Sequence, residues 1–161
     1  MLVAARMLVD PGYAATLAPA PAALFAREAL DLHHRVTRPR DELGRPQPPW
    51  PRAIGTPPWA VARHLAALTG VPHRTRLTRL GLGAEVDRVR VAVDDGHPVA
   101  LYVGSRWLPR HVVLVVGAGQ DHWQVYEPAS GHVLDVDLAR LRTGTLALAG
   151  WDLPWFVVRP A

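Results

Sequence analysis

Apolar residues recur at helical spacing through the first half of the chain and at strand spacing through the second. "MLVAARML" is apolar and helix-favouring, with no Ser, Thr, Asp or Asn ahead of it to satisfy its first N–H groups. The pattern predicts that the chain begins inside a helix that ends at Asp10-Pro11-Gly12. A second helix is predicted from Pro21 to Val36, with Leu24, Phe25, Leu30 and Leu32 as its apolar members. The proline-dense "RPRDELGRPQPPWPRAIG" then reads as a long ordered surface loop. In "GTPPWAVARHLAALTGV", Thr56 is the expected N-cap, Pro57 the first helical residue and Gly70 the stop. A short strand over His73–Leu80 and a helix over Ala84–Asp94 follow.

From Gly96 the period changes. "PVALYVG", "HVVLVVG", "HWQVYE", "HVLDV" and "PWFVVR" are short β-rich runs between Gly, Pro, Asp and Ser, and a brief helix, "DLARLR", precedes the last. Helices first and a meandering antiparallel sheet second predict an α+β domain. At 161 residues, 49% hydrophobic and 20% charged, the chain has the size and balance of a single globular domain. No apolar run approaches the roughly 18 residues that span a bilayer. The opening residues carry charges and a Pro-Gly break too early for a signal peptide, so a cytoplasmic location is expected.

Two compositional facts change the picture. All 18 basic residues are arginine, which raises the pI to about 10.6 although the formal net charge is only +4. Arginine does not deprotonate at ordinary pH, and here it is scattered among acids, so the pI argues little for nucleic-acid binding. The chain contains no cysteine, which excludes disulfides, thiolate metal sites and an internal thiol nucleophile.

The chemistry-bearing candidates lie in "RHVVLVVGAGQDHWQVYEPASG". With strands at 111–117 and 121–127 and a three-residue loop, His111 falls directly opposite Glu127. Opposed side chains share a face with Cβ atoms about 5 Å apart, close enough for a carboxylate to hold one imidazole N–H. A two- or four-residue loop sends the two residues to opposite faces. The competing reading makes His111 a half-exposed strand-edge residue and Glu127 a turn acid ahead of Pro128.

"GHPVALYVG…RHVVLVVGAGQDHWQVYEPASGHVLDV" resembles the C-terminal half of papain-like cysteine peptidases of the bacteriocin-processing, double-glycine leader peptidase type. The resemblance implies a papain-like α+β fold, with N-terminal helices packed on a C-terminal antiparallel sheet. It also implies thiol acyl transfer on a peptide or amide, with His111 as general base and Glu127 as its orienting acid. In that family a helix opens with Cys-Gly-Pro or Cys-Gly-Ser. "MLVAARMLVDPGYAATL" resembles the body of that helix without its opening turn, which points to N-terminal truncation or to a natural pseudoenzyme. Glu stands where the family carries Asp, and neither the cysteine nor its upstream Gln is present. The chain as given is therefore expected to be inactive as a cysteine hydrolase. A non-catalytic peptide- or protein-binding module using the same cleft is the main alternative, and arginine-mediated nucleic-acid binding a weaker one.

The eight histidines show no H-E-x-x-H or comparable spacing, so neither a metal nor a cofactor is expected. Ser105, Ser130 and Thr56 read as turn or cap residues. Trp107, Trp123, Trp151 and Trp155 sit in or beside strands and are core candidates; Trp107, just before His111, is also a candidate wall for a peptide groove.

Overall fold

The computed structural model describes residues 1–51, 55–145 and 147–161. Among them are six helices, α1 (Leu2–Val9), α2 (Pro11–Leu17), α3 (Ala22–Val36), α4 (Pro58–Thr69), α5 (Gly83–Asp94) and α6 (Leu138–Thr143). The strands are β1 (His73–Leu77), β2 (Val99–Gly104), β3 (Pro109–Ala118), β4 (His122–Glu127), β5 (His132–Asp137) and β6 (Leu153–Pro160). They form one six-stranded sheet in the order β1-β6-β2-β3-β4-β5, with every neighbouring pair antiparallel.

The sheet is covered on both faces. Alternation in β2 sends Val99, Leu101 and Val103 into a core with α5 and α6, and Ala100 and Tyr102 into a second core with α1 to α4. Every residue of β2 is buried, as its near-continuous apolar run requires. The N-terminal helices thus cover only one side, and Val86, Val89 and Ala92 of α5 close the other. β1 and β5 are the edge strands, and on β1 Arg74 and Arg76 are exposed.

Two helix boundaries differ from the expectation for one reason. A residue before proline is pushed out of the helical region. Asp10, ahead of Pro11, is extended, so α1 ends there; its carboxylate accepts the Tyr13 N–H and starts α2, a helix the hydrophobic period did not reveal. Pro57, ahead of Pro58, is likewise extended, so α4 begins at Pro58. Thr56 makes no cap; its hydroxyl bonds the His33 ring at 2.8 Å. The proline-dense loop is ordered over 37–51, where the Gln47 amide donates to the Val36 and Arg38 carbonyls and Arg63 to that of Pro46; residues 52–54 of that expected loop lie outside the described ones.

Candidate active site

His111 enters near the start of β3 and Glu127 closes β4. His111 Nε2 lies 2.7 Å from Glu127 Oε1, which also accepts the Ala129 N–H at 2.9 Å. Glu127 is buried, at 3% exposure, while His111 is partly open. A carboxylate only accepts, so across this contact Nε2–H is the donor and Nδ1 is the ring nitrogen left for a second partner. Glu127 Oε2 is buried and makes no hydrogen bond.

The register that joins them differs from the expected one. Ala118 pairs with Trp123 and Gly117 with Gln124, so four residues, 119–122, separate the innermost pair. In an unbroken ladder that even loop would put His111 and Glu127 on opposite faces. Instead a bulge between Val115 and Gly117 leaves Val116 as the extra residue, and beyond it Val115 pairs with Val125 and Leu114 with Tyr126. One step further, Glu127 stands beside Val113, two residues from His111 and on the same face. The pair therefore meets diagonally rather than directly opposed, within reach of two long side chains. Gly117 sits closely packed at the bulge, where a Cβ would come within 2.6 Å of Gln124 Oε1, the flexible end of that side chain.

His111 pairs with Val103, on the face that carries α5, whereas Met1 packs on the other face with Val112 and Tyr126. Burial lowers the α-ammonium of Met1 to about 6, and the Glu127 carboxylate acts on it in the opposite direction. The amino end of α1, which has no side-chain cap, is thus within electrostatic reach of the pair.

A pocket of about 200 Å³ opens beside His111, with Trp50, Thr56, Pro58, Tyr102, Arg110 and Val112 among its walls. Tyr102 is held there by its hydroxyl, which donates to the Thr56 carbonyl at 2.8 Å, and burial raises its pKa well above the usual phenol value. Trp50 stacks edge-on against Trp59, with ring centroids 5.1 Å apart, and donates its indole N–H to the Gly55 carbonyl. Trp107 lines neither this pocket nor the core: it is 71% exposed, with the Arg106 guanidinium 4.3 Å from its ring centre. Hydrophobic spacing did not single out Trp50, because it sits in an irregular segment; the signal available was a tryptophan set among prolines.

The loop that carries Trp107 is tied down by hydrogen bonds at Ser105. Ser105 Oγ accepts the Trp107 and Leu108 N–H groups, and the Trp155 indole donates to the Ser105 carbonyl. Gly104 tolerates no side chain, since a Cβ would lie 2.1 Å from the Leu108 carbonyl oxygen. Among the described residues no group of three or more His, Cys, Asp or Glu side chains is placed to hold a metal ion, and no helix is long and apolar enough to cross a membrane. No protein family, curated protein or solved structure matches the chain.

Proposed function

We propose that this chain is a cysteine-peptidase-like domain of papain-like type that keeps a base and its orienting acid, His111 and Glu127, without a thiol among its 161 residues. The observation that carries this reading is the 2.7 Å Nε2–Oε1 contact, whose carboxylate acts electrostatically on the amino end of α1, a helix start with no side-chain cap. A thiol at that helix start would lose its proton to Nδ1 of His111. The thiolate would then be stabilised by the imidazolium and by the free N–H groups of the first turn. Glu127 would fix the tautomer and balance the imidazolium charge. With no thiol, the chain as given does not perform thiol acyl transfer.

A second reading, a module that binds peptide without cleaving it, is favoured by the pocket beside His111, which needs no nucleophile to hold a side chain.

The test places a thiol where the reading wants one: Met1→Cys behind a short leader, with its alkylation by iodoacetamide followed against pH. The expected thiol titrates well below the ordinary value of about 8.5, and His111→Ala slows alkylation near neutral pH at least tenfold. A thiol that titrates near 8.5 and ignores the His111→Ala change sinks the peptidase-like reading and leaves the binding module.

A further inference from the structure

The pocket beside His111 has a chemical character that the base–acid pair does not require. None of its lining residues is acidic. Its walls include the rings of Trp50 and Tyr102 and the apolar Pro58, Pro109 and Val112. Arg110 stands among them and is exposed, and among the described residues neither a hydrogen bond nor an ion pair engages its guanidinium. Several other arginines among the described residues also lack a carboxylate partner; what distinguishes Arg110 is that it is the arginine lining this largely apolar cavity.

The backbone here offers acceptors more than donors. Pro57, Pro58 and Pro109 have no N–H. The Gly55 and Thr56 carbonyls each accept one side-chain donor, from Trp50 and Tyr102, and a carbonyl oxygen has a second lone pair. At about 200 Å³ the cavity is smaller than the roughly 300–1,000 Å³ of sites for drug-sized ligands and suits a single side chain.

We infer that this pocket binds the carboxy-terminal residue of a peptide, with an apolar or aromatic side chain between Trp50 and Tyr102 and the terminal carboxylate on Arg110. The amide N–H of that residue faces the acceptor-rich backbone at 55–56. Arginine suits the task because its planar fork meets both carboxylate oxygens at once. The inference rests on the reading of this cleft as peptide-binding and names the ligand class for it.

The experiment titrates the intact chain with N-acetyl-phenylalanine, N-acetyl-phenylalaninamide and 3-phenylpropanoate, following backbone amide shifts by NMR. The expected result is saturable binding of N-acetyl-phenylalanine that shifts resonances around Trp50, Thr56 and Tyr102, with the amide at least tenfold weaker and 3-phenylpropanoate several-fold weaker. Arg110→Gln should abolish the preference for acid over amide, Arg110→Lys should keep part of it, and Trp50→Ala should weaken both ligands together. Equal binding of acid and amide, or a preference that survives Arg110→Gln, overturns the inference. So does 3-phenylpropanoate binding as tightly as N-acetyl-phenylalanine, which would assign the pocket to a free carboxylic acid. These titrations read binding alone, so failure of the thiol test at Met1 and failure here are separate outcomes.

Discussion

His111 meets Glu127 across a diagonal of the β3–β4 ladder, Nε2 to Oε1 at 2.7 Å, because one extra residue at Val116 restores a parity that the hairpin loop would have broken. The bulge therefore controls the candidate chemistry, and its packing can be probed directly. In Gly117→Ala the new methyl meets the flexible end of Gln124 at 2.6 Å and its Cβ at 3.2 Å. A loss of about 1–3 kcal/mol is expected in urea unfolding, and adding Gln124→Ala should recover most of it. In Gly104→Ala the obstacle is backbone at 2.1 to 2.9 Å, which has nowhere to swing. That variant should lose more, and no side-chain truncation should rescue it. Equal losses for the two glycine variants would contradict this account.

Trp107 and Trp123 divide the tryptophans by what they touch. Trp123 is wholly buried in the core that faces α5. Trp123→Ala should cost about 3–5 kcal/mol. Trp107 is exposed, and its substitution by alanine should stay within about 0.5 kcal/mol of the parent. Denaturant midpoints of the two variants check both numbers.

Glu85 and Arg159 form a buried ion pair, with Arg159 Nε donating to Glu85 Oε2 at 2.6 Å and Arg88 adding a second contact. Burial pushes the Glu85 carboxyl up, but the Arg159 and Arg88 hydrogen bonds and charges outweigh it, and the net shift is downward. A carboxylate depressed in the fold stabilises above its unfolded pKa of about 4.3, and that stability is lost as the pH falls through the folded value. Glu85→Gln should cost about 3–5 kcal/mol at pH 7, since it strands the Arg159 charge, and should flatten the stability curve below pH 4. An unchanged acid limb in the variant would show that Glu85 is not part of it.

His64 and His73 should make the fold acid-sensitive at milder pH. Burial is the main cause that lowers each imidazole, against the pull of Glu42 on His64 and of the Val71 carbonyl on His73. Both rings are thus easier to protonate in the unfolded chain. Stability should begin to fall below the unfolded value of about 6.5 and keep falling until the folded values are passed. Thermal midpoints at pH 7.5 and 5.5 should therefore differ, and His64→Leu should narrow the gap. A gap that widens in His64→Leu would reverse the sign argued here.

The α+β class and most elements were legible along the chain because each carries its own period. α3 runs to Val36, α5 ends at Asp94, and β4 occupies the six residues of "HWQVYE". Local proline chemistry was legible too but was assigned one residue early at Pro57, and at Pro11 only as a stop. The apolar character of β2 was visible, but not that helices cover both of its faces, since which element packs on which face depends on chain crossings with no local signature.

For the site, residue identity and strand position single out His111 and Glu127 as candidates, and the missing cysteine excludes an internal thiol. Their contact is a tertiary fact. It depends on the bulge at Val116, which is a property of the paired strands rather than of either strand alone. The pocket residues Trp50 and Arg110 come together for the same kind of reason, one from an irregular proline-rich segment and one from a strand, far apart in sequence and joined only by packing. The sequence by itself determined which groups were available and the class of fold that carries them. Only the tertiary structure decided which of them meet, because a one-residue change of register moves a strand side chain to the other face of the sheet.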